Sequence, residues 1–595
     1  MKLIRNIILS AVFISGLCSC ADLRLGDAGL SDAPETSGAT LDSLFSSLQD
    51  ADKVLLTAYS YLPYGIPTNS DTKMGGNWLE SITDLQNSWR NNVADGPTNL
   101  YYSGALNSSL SSSNAGTEAY RFASESDYTA IRYAWLFIEN AYRIPAGSEQ
   151  EVRTKVAEAK MCIAVAYSNM LRYVGGVPIL DHAVQPNEEM KYPRNTFAET
   201  VDFIVKMIDE AKADLPWTVS DTESGRMTRA GALGLKLRIL CFAASPTFNS
   251  DTPFHPQANE YHCYMNYDQN RWTRAKEAAD EFMADYDRNG YYGLVMPVGD
   301  THEARRLAYR SGYYDRGTVE SLISIRKGYD YSIHNAYLYS SIRYYSGPTL
   351  NYVNMFPWED GSEFPEDFDW KNPDRQPFFE PDGTGNPPGV PTRDPRLYEN
   401  VVVPGDLYYN GTVAPLHTNH PNYDNKSTGF SVMKYIMRQT SDRTGKGVHW
   451  PFLRFAEVLL NAAEAYNEAD NGPSPEAYAW VNQVRARVGL SNLEENMDKE
   501  TFRKALIRER TLEFGCEEVR WFDLVRWGLV EDFTKTLYGL RSTGNDQNNP
   551  TEFTFEPFEL SSRSWQQNWD TKWYLAPIPR TEVDKGYGMT QNPGW

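Results

Sequence analysis

Cysteine is scarce in this chain, with six in 595 residues. Cys18 and Cys20 sit at the amino end, which leaves Cys162, Cys241, Cys263 and Cys516 for the body. No CxxC pair and no Cys/His spacing of a zinc site occurs. Cys162 and Cys241 fall in apolar, helix-like stretches and are expected to act as small core hydrophobes. Histidine is also rare, at eight residues. His417 and His420 stand near Asp424 in a polar stretch, where histidines are usually solvated, so no metal is expected. There is no GxxxxGK[ST] phosphate loop, no strand-linked GxGxxG and no recognisable Ser/His/Asp set, so no cofactor is implied. Basic charge is in deficit: 57 Lys and Arg against 78 Asp and Glu give a net charge of -21. Such a surface repels phosphate backbones and anionic lipid, which argues against nucleic acid and against peripheral membrane docking. Beyond the first twenty residues no apolar run is long enough to span a bilayer.

What is present begins at the amino end. Lys2 and Arg5 precede an apolar run from Ile7 to Leu17, followed by Leu17-Cys18-Ser19-Cys20. The run is too short to cross a membrane and has the layout of a secretory signal. The small and aliphatic residues before Cys20 fit a lipoprotein signal peptide over residues 1–19, with Cys20 carrying lipid on its sulfur and amino group. Each buried methylene contributes about 0.8 kcal/mol, so several acyl chains suffice as an anchor. Residues 20–45, rich in Ser, Gly, Asp and Ala, then read as anchor and tether.

The body is predicted to be mainly α. Ala157, Met161, Ala164, Ser168 and Leu171 recur at steps of four and three, one face of a helix over 151–173. Further helices are predicted at 43–61, 196–215 (Thr196 and Glu199 forming a capping box), 228–244 and 272–286. The pattern returns at 451–470, 474–488, 501–514 and 517–527. Helix pairs with alanine at contact positions indicate a tetratricopeptide-like scaffold. Residues 65–118, rich in Gly, Asn, Ser and Thr, read as long surface loops. A large loop-rich insertion at about 309–430 is expected to hold short strands, such as 399–403 and 430–436. The organisation is therefore a helical region with ligand loops at 46–300, and a region at 301–595 that contains the insertion and repeat helices at about 451–527.

Several segments together resemble the SusD/RagB family of Bacteroidetes outer-membrane nutrient-binding lipoproteins. They are Ala157-Glu158-Ala159-Lys160 running to Gly175-Gly176-Val177-Pro178, Gly225-Arg226-Met227-Thr228-Arg229-Ala230 running to Ala243-Ala244-Ser245-Pro246, and Arg393-Asp394-Pro395-Arg396-Leu397. Arg454 to Leu460, Glu509 to Leu524, and the tail from Pro577 to Trp595 complete the set in family order. The resemblance implies a surface-exposed, lipid-anchored protein of the outer membrane. It would capture oligosaccharides, or peptides in the RagB branch, and act as the lid of a SusC-type TonB-dependent transporter. Membrane contact would be through the lipid alone, and no enzymatic activity is implied.

Two features bear on chemistry. Glu509, Glu513 and Glu517 repeat every four residues and would line one face if the helix ran through Gly515. Paired carboxylates serve glycoside hydrolysis. The interleaved Arg508, Arg510 and Arg520 point instead to ion pairs that orient packed helices. Sugar rings pack their C–H faces on aromatic rings while amides and charges take their hydroxyls. Two segments offer that mixture: Asn77, Trp78, Asp84, Asn87, Trp89 and Arg90, and Tyr313, Tyr314, Tyr337, Tyr339, Arg343, Tyr344 and Tyr345. Trp78 and Trp89 are the expected stacking platforms, with Asn77, Asp84, the tyrosines and Arg343 around them. Trp521, Phe522 and Trp527 are expected in the core.

Overall fold

A computed structural model describes residues 40–67, 73–90, 96–109, 126–185, 187–327, 346–407, 411–436 and 449–595. The chain is mainly helical, with short two-stranded sheets. The first six long helices are α1 (Leu48–Ser60), α2 (Asp127–Asn140), α3 (Glu149–Val174), α4 (Phe197–Ala211), α5 (Arg229–Ala244) and α6 (Asn270–Asn289). Each packs on the next along the chain. After α7 (His302–Tyr314) and the loop-rich part, the chain returns as α8 (Phe455–Ala469), α9 (Pro475–Arg487), α10 (Lys499–Glu513) and α11 (Arg520–Trp527). Helix α8 lies against α5 and α6 and extends the row, with α9 and α10 packed on its other side.

Local chemistry accounts for these elements. Thr196 caps α4, its hydroxyl accepting from the Glu199 amide while the Glu199 carboxylate accepts from the Thr196 amide. The backbone bond from Thr196 holds the Glu199 carboxyl below its usual range. Helix α3 ends at Gly175 with φ 83, a conformation that glycine adopts freely. Helix α5 is buried over nearly its whole length, since α4, α6, α8 and two strands surround it. Cys162, Cys241, Trp521, Phe522 and Trp527 are all buried, as the sequence predicts.

Two strand pairs join the insertion to remote segments, and the others are local. They are β1 (Gln86–Ser88), β2 (Ser321–Ile325), β3 (Ser346–Pro348), β4 (Phe379–Glu380), β5 (Val390–Pro391), β6 (Val401–Val402), β7 (Ser431–Val432), β8 (Trp450–Arg454), β9 (Tyr538–Gly544) and β10 (Phe553–Glu559). The pairs are all antiparallel: β1 with β3, β2 with β8, β4 with β5, β6 with β7, and β9 with β10. Of the strands expected at 399–403 and 430–436, Val401–Val402 and Ser431–Val432 form and pair with each other as β6 and β7, while Leu397–Asn400 is a helical turn.

The structure departs from the sequence reading in four places. Residues 73–90 are not surface loop but a buried segment of short helical turns ending in β1. Trp450–Arg454 is strand rather than the start of a helix, because β2 takes its backbone hydrogen bonds. Helix α2 carries Tyr128, Ile131, Tyr133 and Trp135, types of modest helix propensity, and packing between α1 and α3 outweighs that. Tyr313 and Tyr314 end α7 instead of lying in a loop.

Candidate functional site

The segment from Asn77 to Arg90 is held by partners far away in sequence. The Asp84 carboxylate receives both arms of Arg520, at 2.9 and 2.8 Å, and the Lys535 ammonium at 2.7 Å. Burial opposes the charged form, but Arg520 and Lys535 outweigh it and hold Asp84 well below the usual carboxylate range. Arg563 reaches the carbonyls of Thr83 and Gln86, each at 2.6 Å, and stacks over the Tyr102 ring. The Tyr102 hydroxyl donates to the Ser81 carbonyl and accepts from the Ser88 amide. Thr349 bonds the carbonyls of Asp84 and Leu85. The segment is therefore a rigid ledge.

Most residues expected to touch ligand belong to the interior of that ledge. Trp78 is fully buried and stacks on Tyr435 at 5.6 Å with the rings 17° apart. Tyr435 meets Tyr313 edge-on at 5.4 Å, and Tyr314 is buried beside it. Asn77 is buried and donates to the Met74 carbonyl at 2.8 Å. Trp78, Tyr313 and Tyr314 thus offer no ring face to the surface, Asn77 spends its amide N–H on the fold, and Asp84 spends both carboxylate oxygens there. The correction has a physical cause: an aromatic residue beside amides and charges reads alike whether its neighbours bind ligand or hold backbone. Tyr337, Tyr339, Arg343, Tyr344 and Tyr345 lie outside the described residues, as does Cys20.

Trp89 differs. It is half-buried, at the end of the ledge. Its indole N–H is enclosed with no acceptor among the described residues. Its ring lies over Gly347 of β3, where an added Cβ would stand 3.4 Å from the ring and 2.6 Å from the Phe430 carbonyl oxygen. Only glycine admits that approach. The pairing of Asn87 with Gly347 and of Ser88 with Ser346 ties the ledge to the insertion.

The carboxylates of the C-terminal segment are also placed. Helix α10 stops at Glu513, and Glu517 lies beyond it, so the three glutamates do not share a helix face. Glu513 pairs with Arg487, Arg454 and Arg396; Glu509 with Arg396 and Arg485; Glu517 with Arg454 and Lys434. Arg510 holds Asp523, and Arg508 reaches Glu363 and the Met355 carbonyl. Ion pairing is therefore their role, with partners other than their sequence neighbours. His417 is buried, its Nδ1 2.6 Å from the Asn419 amide oxygen. Among the described residues no three His, Cys, Asp or Glu converge on a common point, and no helix is long and apolar enough to cross a membrane.

The profile of the SusD family matches residues 318–595, the part that holds the buried ion network and the closing helices. Residues 318–595 belong to the SusD family. Among curated SusD relatives, SusD-like protein P2 of Formosa agariphila is 25% identical over 480 residues, spanning 79% of each chain. Among solved structures, a SusD-like protein of Bacteroides fragilis superposes with a TM-score of 0.69 at 22% identity, covering 93% of this chain and 98% of that one. A SusD-like carbohydrate-binding protein of the same species superposes with a TM-score of 0.64 at 18% identity, covering 91% and 99%. The fold is thus the SusD fold along nearly the full chain. The residues that sequence reasoning missed are Tyr102 and Arg563, which clamp the ledge; their sequence separation leaves no local signal.

Proposed function

We propose that this protein binds oligosaccharides at the outer surface of the outer membrane. It delivers them, without chemical change, to a SusC-type TonB-dependent transporter that it covers as a lid. The observation that carries the reading is the β1–β3 junction, a rigid ledge ending in the part-exposed Trp89. A family relative described as carbohydrate-binding supports the ligand class. Stacking on an indole face with hydrogen bonds at the rim gives modest, reversible capture suited to release. The carboxylates that sequence spacing offered for hydrolysis are engaged in buried ion pairs, which supports binding without catalysis. Lipid on Cys20 would supply the membrane attachment.

The test is calorimetric titration of the purified protein with a panel of oligosaccharides and, in parallel, peptide mixtures. Binding to a glycan that falls roughly tenfold or more in Trp89→Ala, with the melting temperature little changed, is the expected result. Binding to peptides alone would replace the ligand class. Release of shortened glycan products would overturn the non-catalytic reading.

A further inference from the structure

A second concavity lies away from the ledge. Its walls are the loop Val219–Thr228 before α5, the Tyr291–Tyr292 pair after α6, and the start of β2, around a hollow that opens to solvent. Tyr291 stands at its edge, 53% exposed, with φ 74. L side chains adopt that conformation only under constraint, and such residues gather at functional sites. The ring meets Tyr292 edge-on at 5.1 Å, and the Tyr292 hydroxyl is tied to the Trp217 carbonyl. An exposed aromatic face is thus braced at the mouth of a polar cleft.

Two guanidinium groups line the same cleft, and they differ. Arg226 is engaged by Asp52, Glu158 and Glu223. Arg326 bonds only neutral oxygens: the Ser224 carbonyl at 2.6 Å, the Ser224 hydroxyl at 2.8 Å and the Ser324 hydroxyl at 3.3 Å. These use one N–H on each nitrogen and leave a second on Nη1 and on Nη2. No carboxylate among the described residues pairs with it, although acidic residues outnumber basic ones 78 to 57. Burial and the charge of Arg316 push its pKa down to about 10, so the cation there is under-compensated yet still charged. Gly225, at φ 97, makes room for it, since a Cβ there would lie 2.9 Å from the guanidinium carbon. Asp221 on the rim opposes an anion, but it is exposed and therefore screened by salt.

We propose that this cleft binds an acidic sugar, a pyranose bearing a carboxylate or a sulfate ester, with the ring face on Tyr291 and the anionic group on Arg326. The two free N–H groups suit a forked contact with paired oxygens. The Ser224 hydroxyl stands beside them for a sugar hydroxyl, whereas that of Ser324 is held by His449 at 2.7 Å. The proposal rests on the reading of the chain as a glycan binder, and it narrows the glycan to an acidic one.

Calorimetry with galacturonate oligomers, sulfated galactan oligomers, neutral cello-oligosaccharides and inorganic sulfate tests it. One class of acidic oligomer is expected to bind, weakening as salt rises. R326Q and Tyr291→Ala should each lower that affinity roughly tenfold or more, while R326K retains part of it because the charge survives without the fork. Tyr291→Gly relieves the backbone and should lose binding with an unchanged or higher melting temperature, which separates a ligand role from a structural one. Acidic oligomers binding equally to wild type, R326Q and Tyr291→Ala would overturn the site. Inorganic sulfate binding as tightly as the oligomers would overturn the sugar assignment. Neutral glycans that bind through Trp89 alone would sink this site and leave the general reading standing; no glycan binding at all would sink both.

Discussion

Two tryptophans eleven residues apart, Trp78 and Trp89, have opposite fates. Trp78 is sealed against Tyr435, so Trp78→Ala should cost about 3–5 kcal/mol of stability in denaturant unfolding. Trp89→Ala should instead lower glycan affinity with little change in the unfolding midpoint. Equal loss of stability in both variants would place Trp89 in the core as well. Glu80 is a further residue whose role is decided by its surroundings. It is buried and accepts the Glu518 amide at 2.8 Å. Burial, reinforced by the Glu518 carboxylate, raises its pKa to about 7, with Lys434 acting in the opposite sense. The folded state then holds a proton that the unfolded chain releases near pH 4.5. Stability should therefore fall as pH rises from about 4.5 to 7, by up to about 3 kcal/mol from this group. Glu80→Gln should flatten that slope and raise the melting temperature at pH 8. An unchanged pH profile in the variant would show that Glu80 is ionised in the fold.

At the level of elements, arginine joins parts that are remote in sequence. Arg454 at the end of β8 binds Glu320 ahead of β2, Glu513 at the end of α10, and Glu517. Arg238 of α5 pairs with Glu457 of α8, and Arg526 of α11 with Glu464 of α8. Breaking such a cluster on one side strands buried charge. Arg454→Met should cost about 3–5 kcal/mol in unfolding free energy, whereas exposed Lys53→Ala, which loses only Asp50, should change little. The same pairs set the acid limit. Glu513 and Asp84 are buried, which disfavours their charge, yet their arginine and lysine partners hold them below the usual carboxylate range. Their contribution is present above the ordinary carboxylate pKa and is lost as pH falls through the folded value, so the fold should resist mild acid and fail below about pH 4. A melting curve against pH measures this. Sequence spacing correctly indicated ion pairing for Glu509 and Glu513. It did not name Arg396, Arg454 and Arg487, because i to i+4 arithmetic covers a single helix and these partners arrive from other elements.

For the whole molecule, the proposed lipid attachment is separable from the fold. The described residues contain no helix able to cross a membrane, so Cys20→Ala is expected to shift the protein from the membrane fraction to the soluble one with its melting temperature unchanged. Retention on the membrane would point to another anchor. The carboxyl end is part of the frame: Arg194 binds the Asn592 side chain at 2.7 Å and the Thr590 carbonyl at 3.0 Å, and the Trp595 indole donates to the Leu575 carbonyl at 2.9 Å. By itself the sequence determined most of the long helices, the Thr196 cap, the burial of Cys162 and Cys241, the neighbourhoods of β6 and β7, and the family resemblance. These follow from periodicity, turn residues and local hydrogen bonds, which act over a few positions. The tertiary structure alone decided which aromatics face outward, which arginine meets which carboxylate, and that β1 and β3 draw two distant segments into one ledge. Burial and ion pairing depend on the distance between groups in space, and a chain of this length brings together residues such as Asp84 and Arg520 that no local pattern connects.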